Sequence, residues 1–139
     1  MDTSVASAND FLFMQQALEL ALESAAHGEV PVGSILVKDG KTIAQSGNAP
    51  ISLSDPTAHA EINTIRMGAS YLGNYRLVGT TLYSTLEPCV MCAGAIMHAR
   101  IERLVFGAYD EKSGACGSVV DLFENGQLNY HTSVLGGVM

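Results

Sequence analysis

Near the start of the chain, apolar side chains recur at three- and four-residue spacing, which is the period of an amphipathic helix. Asp10 stands just before the first of them and is a favoured N-cap residue, while Gly28 follows the last. The pattern therefore predicts a helix over residues 10–27. The side chains expected on its apolar face are Phe11, Met14, Leu18, Ala21, Leu22 and Ala25.

Two runs of strand-forming residues, 32–38 and 42–48, flank the pair Asp39-Gly40. Aspartate and glycine tolerate the positive φ angles that a tight two-residue turn between antiparallel strands requires. The pattern therefore predicts a β-hairpin after the first helix.

Helical and strand-like patterns alternate in the rest of the chain. They predict a loop at 49–56, a helix at 58–70 capped by Asp55 or Thr57, an irregular stretch at 68–79, a strand at 81–86, a helix at 89–100 opened by Pro88 and a strand at 104–107. Because strands separated by a helix usually pair in parallel, the last two strands are expected to do so. Further on, Ser118 and Asp121 predict a capping box, Asn125-Gly126 a turn and 131–135 a last short stretch of structure.

Length and composition narrow the class of protein. With 139 residues the chain has the size of one domain, and 47% of its residues are hydrophobic against 15% charged. No apolar run approaches the roughly 18 residues of a membrane span, and the polar N-terminal segment lacks the pattern of a secretory signal. We therefore expect a single soluble domain, 1–139, in the cytoplasm and with no membrane contact.

The charge balance bears on possible partners. Seven Lys and Arg against 14 Asp and Glu give a net charge of −7, whereas proteins that bind phosphate backbones normally present a basic face. A local basic surface is still compatible with this total. Its candidate members lie in the middle of the chain and are Arg66, Arg76, Arg100, Arg103 and Lys112.

The candidate chemistry lies in two short stretches, one around His59 and one at Cys89 to Cys92. If Pro88 opens a helix, Cys89 and Cys92 lie on one face of its first turns, where the unpaired N–H groups favour thiolates. Together with His59 they offer zinc three ligands, and a catalytic zinc keeps its fourth position for water. Glu61, two residues from His59, would flank the metal and act as a general acid and base.

Two other interpretations of these residues remain open. A fourth ligand from Cys116, His98 or His131 would close the site as a structural zinc. Alternatively, the C-x-x-C pair could be a redox motif, although no thioredoxin-like context surrounds it. Cys116 is most simply a buried thiol.

A family resemblance extends well past these ligands. His59-Ala60-Glu61 and Pro88-Cys89-Val90-Met91-Cys92 match the H-x-E and P-C-x-x-C signature of zinc-dependent nucleoside and nucleobase deaminases. From about residue 29 to 118 the chain resembles the bacterial tRNA adenosine deaminases that make inosine at the wobble position. The blocks that carry this resemblance begin at Glu29, Asp55, Asn74, Thr85 and Val105.

The resemblance implies both a fold and an assembly. It implies a three-layer α/β/α cytidine-deaminase-like fold with a five-stranded mixed sheet, one Zn²⁺ per subunit, and a homodimer whose active sites lie near the subunit boundary. It also implies that His59, Cys89 and Cys92 hold the zinc. Glu61 would deprotonate the bound water, protonate N1 of adenine and help ammonia leave after attack at C6.

The resemblance further assigns contacts with the substrate. Asn48 matches the position that hydrogen-bonds the base, Val30, Pro31, Ala60 and Leu86 would wall its pocket, and Asp110 matches a position near the anticodon sugar and backbone. From the residues alone, the simpler interpretation is that Asn48 is a turn residue at a strand end and Asp110 a solvated acid. The tRNA anticodon arm is the partner that these positions imply.

One departure from the family pattern keeps other functions open. The relatives carry a further C-terminal helix with aromatic and basic residues, and this sequence stops at Met139 without it. The short C-terminus and the negative charge are compatible with a deaminase of a free nucleobase or nucleoside of the guanine or cytosine type. The third hypothesis is a zinc-stabilised interaction module without turnover, in which Glu61 would have no evident task.

Overall fold

The computed structural model describes residues 5–129 and 132–139. Its elements are the helices α1 (Ala8–Ala26), α2 (Pro50–Leu53), α3 (Ala60–Leu72) and α4 (Val90–His98) and the strands β1 (Gly33–Lys38), β2 (Lys41–Gly47), β3 (Thr80–Leu86), β4 (Arg103–Ala108) and β5 (Ser133–Leu135). The strands form one sheet in the order β2-β1-β3-β4-β5. The β1 strand pairs antiparallel with β2 and β3, whereas β3 with β4 and β4 with β5 pair in parallel. The five-stranded mixed sheet and the parallel pair are thus confirmed.

Apolar side chains fill both faces of the sheet, so helices cover it on two sides. On one face, Met14 and Ala17 of α1 pack with strand residues that include Ile35 and Val105. On the other, Ala93 and Ile96 of α4 belong to the larger cluster, which contains Leu36, Leu82, Leu104 and Phe106 and against which α3 packs. The three-layer α/β/α fold is confirmed. Among the described residues, no helix is both long enough and apolar enough to cross a bilayer.

The first helix begins earlier than predicted and presents a different face to the sheet. Ser7, not Asp10, is its N-cap, and Asp10 completes a capping box from position N3. Phe11, Leu22 and Ala25 are exposed and Leu18 is half-buried. The buried stripe is instead the narrow one of Met14, Ala17, Ala21 and Ser24, with Asp10 at its start. Small residues are needed here because the backbone of β1 comes close: a Cβ at Gly33 would lie 1.9 Å from the Ala17 carbonyl oxygen.

The hairpin is confirmed, with positive φ angles at Asp39 and Gly40. The predicted loop at 49–56 contains the short helix α2. The α3 helix starts two residues later than predicted and continues to Leu72, inside the stretch predicted to be irregular, before Gly73 ends it in the left-handed conformation. Neither predicted cap is used, because the Asp55 carboxylate instead accepts hydrogen bonds from the backbone N–H and hydroxyl of Thr57 at 2.9 and 2.8 Å.

The region after β4 contains little regular structure. The predicted capping box at Ser118 is wrong: no helix follows it in the described residues up to 129 and from 132 on, and the Ser118 hydroxyl donates to Glu87 instead. Asn125 does form a turn, in which its side chain accepts from the N–H of Gln127 at 2.9 Å. The stretch predicted at 131–135 contains β5, but His131 lies outside the described residues.

Candidate metal centre and active site

Two helix N-termini meet above the carboxyl end of β3. His59 is the N-cap residue of α3 and Cys89 is the N-cap residue of α4, both with extended backbone. Neither side chain makes the hydrogen bond to the helix that N-cap residues usually make. Both are therefore free to turn toward a ligand, and the N–H groups at the helix starts favour negative charge there. Pro88 precedes the cap residue Cys89, so α4 begins at Val90, one residue later than predicted.

The distances between the three candidate ligand atoms fit zinc. The Nδ1 atom of His59 lies 3.5 Å from Sγ of Cys92 and 3.7 Å from Sγ of Cys89. Ligands bound tetrahedrally at zinc–nitrogen and zinc–sulfur bond lengths of about 2.0–2.3 Å would lie roughly 3.5–3.8 Å apart. Two thiols and one imidazole, all within 4.8 Å of one another, thus form a donor set suited to one zinc ion.

The two cysteines differ in acidity. The hydrogen bond with Cys92 is the main cause that lowers the pKa of Cys89 to about 5, assisted by the backbone N–H groups of Cys92 and Met91. The same hydrogen bond, together with burial, raises the pKa of Cys92 well above its usual range. Cys89 is therefore the more acidic thiol of the pair. Both are free cysteines.

Glu61 lies beside this cluster without belonging to it. It is in the first turn of α3 and is 4% exposed. Burial is the main cause that raises the pKa of Glu61 to about 7, and the negative charge of Cys89 adds to it. A buried carboxyl group next to three ligands, and outside their set, has the placement of a general acid and base.

None of the three residues considered as a fourth zinc ligand is found with the other ligands: two lie elsewhere in the structure and the third lies outside the described residues. Cys116 is buried, with its thiol 4.0 Å from the Pro88 carbonyl, and burial raises the pKa of Cys116 above its usual range. His98 is exposed at the other end of α4. In residues 5–129 and 132–139 no fourth ligand atom joins the three. His131 falls in the gap between these ranges.

A cavity of about 200 Å³ opens beside the ligand atoms. It brings together seven of the predicted site residues: Val30, Asn48, His59, Glu61, Leu86, Cys89 and Asp110. Cys92 lies buried behind it, and Pro31 and Ala60 are not among its lining residues. The backbone N–H of Ala60 nevertheless takes part indirectly, because it donates to Oδ1 of Asn48 at 3.3 Å and so orients that side chain.

Sequence reasoning missed three residues of the cavity: Val32, Glu87 and Ser113. Glu87 is the informative one, since it is 2% exposed yet remains ionised. Burial would raise the pKa of Glu87, but hydrogen bonds from Ser118, Asp110 and Cys116 hold it below its usual range. The available signal was an acidic residue directly before Pro88-Cys89.

Asp110 has a local structural role in addition to its place in the cavity. Its carboxylate accepts from the backbone N–H of Lys112 at 3.0 Å and of Ser113 at 3.3 Å and from the Ser113 hydroxyl at 2.9 Å. The hydrogen bond from the Ser113 hydroxyl is the main cause that lowers the pKa of Asp110. Asp110 is therefore an ionised turn residue on the rim of the cavity.

Arg103 does not belong to the basic surface considered from the sequence. Its guanidinium makes two hydrogen bonds to Asp10, of 2.8 and 2.9 Å, and the two side chains are only 13% and 2% exposed. The reason is long-range: α1 packs over the sheet and brings residue 10 to β4. Arg66 is exposed, and its Nη1 atom lies 3.7 Å from Oδ2 of Asp55.

Comparison with known proteins agrees with this geometry. The family described as "Cytidine and deoxycytidylate deaminase zinc-binding region" matches residues 7–108. The chain belongs to this family. The fold and the family thus define a zinc-dependent hydrolytic deaminase, and His59, Cys89 and Cys92 are the residues that could hold its metal.

Particular relatives narrow the resemblance further. The chain is 53% identical over 136 residues to a tRNA-specific adenosine deaminase of Haemophilus influenzae, covering 97% of this chain and 79% of that protein. It is 42% identical to the enzyme of the same name from Bacillus subtilis, covering 94% and 81%. A solved structure from studies of A-to-I editing by tRNA:A34 deaminases at the wobble position is 48% identical, with a TM-score of 0.90 over 94% of this chain and all of that one. Guanine deaminase from B. subtilis is 41% identical, with a TM-score of 0.69 over 70% of this chain and 63% of that one.

Proposed function

We propose that this protein hydrolyses adenosine to inosine at the wobble position of tRNA, with release of ammonia. The observation that carries the proposal is the cavity itself, which is lined by the buried Glu61 carboxyl group and by two of the three candidate metal ligands. The choice of substrate is supported by relatives that are named for this reaction and match 91–97% of the chain at 42–53% identity.

His59, Cys89 and Cys92 would hold the zinc ion. A zinc held by three protein ligands supplies Lewis acidity and one open position at which water is activated. Glu61 takes a proton from the attacking water and delivers it to N1 of the adenine ring. As the C6–N bond breaks, Glu61 takes the second proton of that water from the new C6 hydroxyl and passes it to the departing amino group, so adenosine and water become inosine and ammonia.

Asn48 is proposed to orient the base. Its Oδ1 is occupied by the N–H of Ala60, which leaves its Nδ2 hydrogens to donate to a ring nitrogen of adenine. Val30 and Leu86 would supply apolar contacts on the sides of the cavity. Pro31 does not line the cavity, so its contact with the base is a prediction from the family resemblance alone. Asp110, on the rim, would contact the sugar of the nucleotide. These substrate contacts remain predictions.

A free-base deaminase is the second candidate, favoured by the net charge of −7 and by the similarity to guanine deaminase. A single assay distinguishes the two candidate functions. The protein is incubated with a panel of tRNA anticodon stem-loops, free adenosine, guanine and cytosine, and inosine and ammonia are measured. Inosine in an A34 stem-loop supports the leading proposal, whereas ammonia from free bases alone supports the second.

A homodimer is proposed from the outer face of α4. Val90, Gly94 and Met97 lie at helical spacing along this face, where Val90 is 57% exposed and a Cβ at Gly94 would meet nothing within 4 Å. They line a groove of about 360 Å³ that the described residues leave open. Because Cys89 directly precedes this face, a second copy bound here would lie beside the metal site. Sedimentation of wild type and Val90→Glu tests this, and a monomeric wild type would contradict it.

We further propose that the chain acts as one domain in the cytoplasm. A reducing compartment suits a site built from two cysteines that must stay free to bind metal.

A further inference from the structure

Glu87 is a buried carboxylate between the start of α4, which is called the metal-site helix below, and the loop that forms one side of the cavity. It follows β3 and comes two residues before Cys89, and its side chain is 2% exposed. The loop in question is residues 110–118. Zinc binding, proton transfer and base contact, as proposed above, assign no task to Glu87.

Four donors from the 110–118 loop converge on this one side chain. The Oε1 atom accepts from the backbone N–H of Asp110 at 3.0 Å and from the Ser118 hydroxyl. The Oε2 atom accepts from the backbone N–H of Cys116 at 2.8 Å and of Ser118 at 3.1 Å. Three of the four partners are backbone N–H groups, which can only donate, so a carboxylate that accepts at both oxygens suits the arrangement.

The loop fits around Glu87 without spare space. A Cβ at Gly114 would lie 2.3 Å from Cδ of Glu87 and 2.5 Å from each of its oxygens. The loop is also joined to the start of the metal-site helix, because the N–H of Ala115 donates to the Pro88 carbonyl at 2.8 Å. The close approach at a glycine and the four donors fix the loop against the end of β3.

The held loop contributes two residues to the cavity, Asp110 and Ser113. One of the four hydrogen bonds is made by the N–H of Asp110 itself. The position of Glu87 therefore determines where this wall of the cavity stands. His59 and Cys92 are positioned by the starts of α3 and α4.

We propose that Glu87 is a positioning residue for substrate binding: it holds the 110–118 loop so that Asp110 and Ser113 form the wall against which the RNA nucleotide docks. Glu87 governs substrate affinity and leaves the hydrolytic step to the metal site and Glu61. This inference rests on the proposed deamination of tRNA adenosine.

Glu87→Gln is the test, because it preserves shape and places an NH₂ group where one oxygen accepted two hydrogens. We expect KM for an A34 anticodon stem-loop to rise roughly tenfold, about the effect of one lost hydrogen bond, with kcat within about threefold of wild type. Zinc content should stay at one per chain. Hydrogen exchange at the amides of Cys116 and Ser118 should accelerate.

Two further variants keep the outcome decisive. Ser118→Ala removes a single donor and should raise KM about threefold, so it substitutes for Glu87→Gln if that variant does not fold. Asp10→Asn removes a buried carboxylate on the opposite face of the sheet and should leave KM unchanged, which separates positioning from general loss of stability.

The contradicting results are distinct from a failure of the proposed function. An unchanged KM in both Glu87→Gln and Ser118→Ala, with unchanged amide exchange, overturns the role of Glu87 while the function stands. A fall in kcat or zinc content with KM unchanged also overturns it, because the effect would then act on the metal site. A wild type that makes no inosine in the stem-loop refutes the function itself.

Discussion

Asp10→Asn probes the contact that joins the first helix to the sheet. The Asp10 carboxylate accepts two hydrogen bonds from Arg103, one from the Tyr83 hydroxyl at 2.6 Å and one from the Ser7 N–H at 2.9 Å. Burial opposes the charge, but these hydrogen bonds outweigh burial and lower the pKa of Asp10 from 3.8 to about 2. The difference corresponds to about 2.5 kcal/mol of folding free energy at neutral pH.

The variant should lose about 3 kcal/mol of stability at pH 7, the low end for a broken buried pair, because Arg103 retains 13% exposure. Because the folded pKa lies below the unfolded one, the contribution of Asp10 is complete above about pH 4 and disappears as the pH falls toward 2. Denaturant unfolding of both proteins between pH 7 and 2 measures this difference. Arg66→Gln, which breaks an exposed pair, serves as the control and should cost less than about 0.5 kcal/mol.

A loss below about 1 kcal/mol at pH 7 would refute this reasoning. So would a difference between wild type and variant that stays constant down to pH 2, since the stabilisation would then not come from the ionised carboxylate.

Other consequences of the structure can be checked separately. Cys89→Ala should abolish stoichiometric zinc binding, while Cys116→Ser should retain one zinc per chain by metal analysis, because its thiol lies outside the ligand set. Gly33→Ala should destabilise the fold by about 3 kcal/mol, since its Cβ would strike the Ala17 carbonyl, whereas Gly126→Ala should change stability by less than about 0.5 kcal/mol. Chelation should stop ammonia release and added zinc should restore it.

The sequence was most informative where the chemistry is local. Because residues three apart lie on the same face of a helix, the two sulfurs of a C-x-x-C pair at a helix start point to the same side. His59 and Glu61 lie at the start of another helix. The two stretches therefore predicted the ligand set that the structure brings together. The hairpin was predictable for a similar reason, since only the two turn residues had to accept positive φ.

Errors arose where a residue serves a distant partner. Aspartate is a residue type favoured at N-caps, but Asp10 instead pairs with Arg103, 93 residues away. Ser7 is the N-cap residue of α1. Ser118 has the spacing of a capping box, yet its hydroxyl and N–H both bind Glu87, 31 residues earlier. Local propensity cannot reveal such contacts, because the sheet topology creates them.

The most direct test of the central claim compares wild type with Glu61→Gln on an A34 anticodon stem-loop, with zinc content measured on the same samples. Glutamine preserves the shape of the side chain but cannot take and return the proton. We predict inosine in the wild-type reaction, loss of turnover by at least about a thousandfold in the variant, and one zinc per chain in both. Turnover by Glu61→Gln at the wild-type rate, or no inosine from zinc-loaded wild type, would contradict the account.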